Sequence, residues 1–126
     1  MRIFGYLVML ILLVTSCGGN EFSFNQENQS FKAKSTYFGH IEVQGIDNND
    51  CYIIKRKSKG KKAKSMILNQ IPKDYYIISC SNTDTIECFK MKINSEYEII
   101  NRGIYNAAPE KIIVITNENG FLRQKE

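Results

Sequence analysis

The chain contains no tryptophan and one histidine, His40. It has no Cys-x-x-Cys pair, so the thiolate and imidazole donors from which zinc sites are built are missing, and no metal or cofactor is expected. No glycine-rich loop follows a strand and opens a helix, which argues against nucleotide chemistry. No nucleophile elbow surrounds any serine or cysteine. His40 becomes a general base for Cys51 only if the fold joins them, and a solvent-facing strand histidine without a catalytic role is the simpler reading. Glu96 and Glu98 are spaced for one face of a strand, as solvent-facing acids are. Together these absences point away from an enzyme. After residue 14 there is also no second apolar stretch approaching the 20 or so residues that a membrane-spanning helix needs.

What is present starts at the first residues. Arg2 supplies a positive start, and residues 3–14 are apolar apart from Gly5 and Tyr6. That run matches the apolar segment of a secretory signal and is too short to span a bilayer. Val14-Thr15-Ser16-Cys17 follows it. This tetrapeptide resembles the lipobox of bacterial lipoproteins, in which an aliphatic residue and a small residue precede a cysteine that becomes lipidated. The resemblance implies a signal peptide over residues 1–16, cleavage after Ser16 and a diacylglyceryl group on the Cys17 thiol. It also implies localisation at the outer membrane or another envelope membrane. One fatty chain binds a membrane only marginally, at about 0.8 kcal/mol for each buried CH₂, so two or three chains on one residue make a stable anchor. Periplasmic and surface-facing display are both compatible with Gly18-Gly19-Asn20-Glu21.

Residues 17–30 read as the lipidated cysteine and a flexible tether, because Gly, Asn, Gln and Ser bury too little surface to offset the entropy of ordering. Phe22 and Phe24 alternate there, and a short edge strand is the competing reading. Residues 31–126 then make one domain with a single core. Ile41 and Val43 alternate with His40, Glu42 and Gln44, the period of a half-buried strand. Asp47-Asn48-Asn49-Asp50 is a turn, and residues 51–56 return, so residues 37–56 form a hairpin.

A second hairpin is expected from residues 74–80 and 86–93. A three-residue loop centred on Asp84 sets Cys80 opposite Cys88, with Tyr75, Ile77, Phe89, Met91 and Ile93 facing the core. Between the hairpins, Ala63, Met66, Ile67, Gln70 and Ile71 fit one face of a short helix ended by Pro72. Leu68-x-x-Ile71-Pro72-x-x-x-Tyr76-x-Ile78 instead resembles the strand-turn-strand signature of immunoglobulin-like and prealbumin-like sandwiches, which implies that Tyr76, Ile78 and Cys80 point inward. A one-residue slip exchanges the two faces. Tyr97 and Ile99 mark a further strand, and Ile112-Ile113-Val114-Ile115 reads as a central strand buried on both faces. Phe121-Leu122 adds a closing strand. The expected fold is all-β, a small antiparallel sandwich of six to eight strands, with a small β-barrel as the alternative.

Charge is concentrated in one place. Seven of the ten residues 55–64 are cationic: Lys55, Arg56, Lys57, Lys59, Lys61, Lys62 and Lys64. The whole chain carries only +4, so the rest of it, leader aside, is net negative. Such a run is either a solvated tip or an anionic binding site. The matching ligands are phosphate groups of lipopolysaccharide or phospholipid, an acidic polysaccharide, or an acidic protein. No aromatic residues interleave with the lysines to stack bases, so nucleic acid is not the expected partner.

Besides Cys17 there are Cys51, Cys80 and Cys88. An exported chain permits disulfides, and one pair with one thiol left over is the simplest arithmetic. Cys80 with Cys88 is the pairing that the proposed hairpin favours; Cys51 with either is the alternative, and three reduced thiols are also compatible with the sequence. The function expected is a non-enzymatic, lipid-anchored envelope module of inhibitor or immunity type that uses the basic segment, with a structural or accessory lipoprotein as the alternative. Mass spectrometry of the mature N-terminal peptide is expected to find cleavage before Cys17 and diacylglyceryl on its sulfur. An unmodified Cys17 would overturn the lipoprotein reading.

Overall fold

A computed structural model gives the fold and describes residues 19–34, 37–81, 84–88, 90–103 and 107–126. Residues 1–18, on which the expected signal peptide, lipobox and Cys17 lipidation fall, lie outside the described residues, as does Phe89. The fold is all-β, with ten strands among the described residues in two antiparallel sheets. The small sheet has the order β1-β2-β5, from β1 (Phe22–Asn25), β2 (Ser30–Ala33) and β5 (Ser65–Met66). The large sheet contains β3 (His40–Gly45), β4 (Cys51–Arg56), β6 (Tyr75–Ser79), β7 (Thr85–Ile86), β8 (Glu96–Asn101), β9 (Glu110–Thr116) and β10 (Leu122–Gln124). Its order is β10-β9-β8-β3-β4-β6-β7, an open seven-stranded sheet not closed into a barrel. The two layers make a small sandwich. Strands number more than expected because β1 lies in the stretch read as tether, β2 starts at its border, and β5 is too short to leave a periodicity in the sequence.

The β3–β4 hairpin forms as its alternation implies, with His40 opposite Lys55 and Gln44 opposite Cys51. Its turn is held by Asn48, whose Oδ1 accepts the Asp50 amide at 2.8 Å, while Gly45 N–H donates to Asp50 C=O at 2.8 Å. A Cβ on Gly45 would lie 1.9 Å from that Asn48 oxygen, so a side chain there would displace the Asn48 amide that holds the turn. Ile41, Val43, Ile54, Ile77, Ile99 and Val114 point from the large sheet into the core.

From Asn20 onward, ordered chain stands where the tether was expected to run through Ser30. Asn25 Oδ1 accepts the Glu27 amide at 2.9 Å, Gln29 takes a left-handed φ of 57°, and β1 folds back on β2. Phe22 and Phe31 are thereby buried, 6.0 Å apart between ring centroids, and Phe22 meets Phe38 edge-on at the same distance. Such pairs contribute about 0.5–1.5 kcal/mol beyond their burial. The alternation of two phenylalanines therefore outweighs the polar composition.

The second hairpin is corrected in register. β6 pairs β7 with Ile77 opposite Ile86, not Met91, and Cys88 is exposed beyond the end of β7. Tyr75 and Ile77 face the core, as the hairpin reading had it, and the sandwich signature's inward Tyr76 and Ile78 are half-exposed on the opposite face. Ile93, expected in the core, is 55% exposed in a turn. Residues 63–71 form no helix: Phe31 pairs with Met66 across β2 and β5. β9 is one strand from the sheet edge, with Ile112 and Val114 buried and Ile113 and Ile115 on the outer face, so it is covered on one side only.

The disulfide joins Cys51 to Cys80, not Cys80 to Cys88. β4 and β6 are neighbours, Tyr52 lies opposite Ser79, and Cys80 N–H donates to Cys51 C=O at 3.1 Å, so the two sulfurs meet across adjacent strands. Closing a loop with a sequence separation of 29 stabilises the fold by about 3–4 kcal/mol in the chain-entropy description. Replacing both cysteines by serine is expected to lower the unfolding free energy by about 3 kcal/mol in urea titration. Cys88→Ser should leave it unchanged, and peptide mapping should find Cys88 as a free thiol.

Candidate functional site

Strand direction sorts the loops into two ends. At one, Gly39 precedes β3, Arg56 ends β4, Tyr75 begins β6 and Asn101 ends β8. At the other lie the Asp47–Asp50 turn, the disulfide and the β9–β10 turn at residues 117–121. The basic segment belongs to the Gly39 end. There Arg56 N–H donates to Gly39 C=O at 3.2 Å, and Arg102 N–H donates to His40 C=O at 2.9 Å. Gly39 and Gly103 meet backbone to backbone, so that a Cβ on Gly103 would lie 2.6 Å from Gly39 N.

The segment is fixed to the sandwich along its length. Lys57 N–H donates to Asp74 C=O and Gly60 N–H to Lys57 C=O, each at 2.8 Å, with Lys59 at a left-handed φ of 66°. Arg56 Nη1 donates to Gly60 C=O at 2.8 Å. Beyond the turn, Ala63 bridges to Phe38, and its N–H donates to the Tyr75 hydroxyl at 2.9 Å. That hydroxyl in turn donates to Phe38 C=O. Burial raises the Tyr75 pKa, an effect opposed by the Ala63 hydrogen bond and by Arg56. The Lys62 ammonium lies 4.5 Å and the Arg56 guanidinium 5.7 Å from the centre of the Tyr37 ring.

Lys55 and Arg56 are strand residues and half-buried, whereas Lys57, Lys59, Lys61, Lys62 and Lys64 are exposed. Ion pairs among the described residues join His40 and Arg102 to Glu42, Lys92 to Asp50, Lys111 to Glu98 and Lys125 to Glu96. None involves a cation of residues 55–64. The arrangement therefore presents positive charge on a braced backbone, suited to phosphates or carboxylates spread over a surface. Among the described residues no cluster of His, Cys, Asp and Glu is placed to hold a metal ion.

His40 and Cys51 do not form a catalytic pair. They sit at opposite ends of the β3–β4 hairpin, and Cys51 is in the disulfide. His40 Nε2 lies 3.4 Å from Glu42 Oε1, an ion-pair distance without a well-formed hydrogen bond. Burial lowers its pKa against the opposing pull of Glu42, with Lys55 and Arg102 lowering it further. Glu42 also takes Arg102 Nε at 3.2 Å.

A second concave feature is absent from the sequence reading. At the disulfide end, a cleft of about 390 Å³ opens between the sheets, lined by Gln29, Ile67, Leu68, Met91, Phe121 and Leu122. Phe121, 59% exposed after the Asn119-Gly120 turn, is its one signal in the chain. Nearby, the Tyr97 hydroxyl donates to Asp50 Oδ2 and accepts the Lys92 amide, both at 2.7 Å. Burial pushes Tyr97 up to about 12.

Comparison of the chain with protein-family models, curated proteins and solved structures found no match.

Tyr75→Phe removes the donor to Phe38 and the acceptor for Ala63. The expected cost is about 1–3 kcal/mol, with faster hydrogen exchange at the Ala63 amide while the β8–β9 amides keep their protection.

Proposed function

We propose that the protein is a non-enzymatic binding module held at a bacterial envelope membrane by lipid on Cys17, which engages an anionic partner through its basic end. The observation that carries this is the set of exposed Lys57, Lys59, Lys61, Lys62 and Lys64, none with an acidic partner among the described residues, on a backbone braced to Asp74, Tyr75 and Phe38. A merely solubilising loop has no need of such bracing. Ligands of the right chemistry are phosphate-bearing lipids and lipopolysaccharide, acidic polysaccharide, or an acidic protein of the inhibitor or immunity type. A second reading, an accessory lipoprotein of an envelope assembly, is favoured by the apolar cleft beside Phe121.

The test is a pull-down from envelope extracts with detergent-solubilised full chain, comparing wild type with a variant carrying glutamine at Lys57, Lys59, Lys61, Lys62 and Lys64. Arg56 is kept because it holds Gly60. Capture by wild type that weakens about tenfold in the variant, and falls steeply as salt shortens the screening length, is the expected result. Capture unchanged by neutralisation would move the site to the cleft.

A further inference from the structure

The basic end and the point where the chain leaves its anchor are the same end of the molecule. Asn20 is 1% exposed. Its Nδ2 donates to Ala107 C=O at 3.3 Å and Ala108 C=O at 3.1 Å, and its own carbonyl accepts Asn101 Nδ2 at 3.1 Å. Asn101 ends β8, and the next residues, Arg102 and Gly103, contact His40 and Gly39 directly. Gly39 accepts Arg56 N–H at the root of the basic segment. Lys34 joins the same end, its amide donating to Glu21 C=O at 2.9 Å.

Only Gly18 and Gly19 separate Asn20 from Cys17. Three residue steps span at most about 11 Å even when fully extended. That is close to the screening length of about 10 Å at 0.1 M salt. A lipid on Cys17 therefore cannot hold this end far from the membrane surface. The charge distribution agrees. Turns at the far end carry Glu27, Asp47, Asp50 and Glu118; the Gly39 end has acids too, Glu21, Asp74 and Glu110, but there the seven cations of residues 55–64, with Lys34, outnumber them.

We propose that the basic end of the sandwich rests on the anionic phosphate headgroups of the same bilayer that receives the lipid on Cys17, which fixes the domain upright with its disulfide end and cleft outward. This deepens the binding-module reading and rests on lipidation of Cys17. Anchoring itself does not need the lysines; the device sets orientation. Because the tether makes the encounter intramolecular, modest attraction per lysine is enough. A free phosphate ion offers the same chemistry, but the juxtaposition of tether and charge selects the membrane.

The test uses full chain purified with its anchor and reconstituted into vesicles of phosphatidylcholine alone, or of phosphatidylcholine with phosphatidylglycerol. A membrane-impermeant amine reagent is read by mass spectrometry, lysine by lysine. The expected result is flotation with both vesicle types, with labelling of Lys34, Lys57, Lys59, Lys61, Lys62 and Lys64 reduced about fivefold on the anionic vesicles only and restored by high salt. Lys92 and Lys125, paired to Asp50 and Glu96 away from that end, should label equally on both. A variant with glutamine at Lys57, Lys59, Lys61 and Lys62 should still float, while Lys34 and Lys64 lose their protection.

Flotation without charge-dependent protection would overturn the orientation and leave the anchor standing. Failure to float with neutral vesicles would overturn the anchor and the orientation together. Protection by inorganic phosphate on neutral vesicles would assign the lysines to a soluble anion and also overturn the proposal.

Discussion

The closure of the small sheet over the large one through Phe22, Phe31 and Phe38 is the contact on which the rest depends. A seven-stranded sheet with one isoleucine-rich face cannot remain alone in water, and three short strands cannot stand without something to cover. Phe38 lies where the two meet: buried, packed on Phe22, bridged to Ala63 and bonded through its carbonyl to Tyr75. The backbone that binds the layers thus also braces the basic segment. Packing and site share their residues.

Legibility in the sequence followed the strength of local periodicity. β3 and β8 announce themselves because Ile41, Val43, Tyr97 and Ile99 alternate with polar neighbours, and their faces are as read. The run 112–115 misleads, since four consecutive aliphatics suggest two covered faces, yet Ile113 and Ile115 lie on the outer face beside Glu98 and Glu96 of β8, whose carboxylates take Lys111 and Lys125. The Cys80–Cys88 pairing failed for a different reason. It assumed that consecutive strands meet in the shortest register, whereas β6 takes its long partner from β4, 20-odd residues back, and leaves β7 only two residues. Non-local pairing of this kind leaves no trace in a window of the sequence.

The site was half legible. Its cations are plain to see, but their placement is not. That they stand without acids, that Tyr75 and Asp74 hold their backbone, and that Asn20 enters at the same end are consequences of topology. Reading residues 17–30 as spacer concealed the last of these, because a long loose tether would have erased any relation between anchor and charge. A short one creates it.

The disulfide encloses residues 51–80, and that ring contains the entire lysine-rich segment together with β5. Exposed lysines on a turn are what trypsin-like proteases attack. A cut there would nonetheless open the ring without releasing a piece, because β4 and β6 stay joined by the sulfur bridge as well as by their ladder. The chain can therefore be nicked at its most vulnerable surface and still remain one covalent body, attached through Asn20 to whatever holds its beginning.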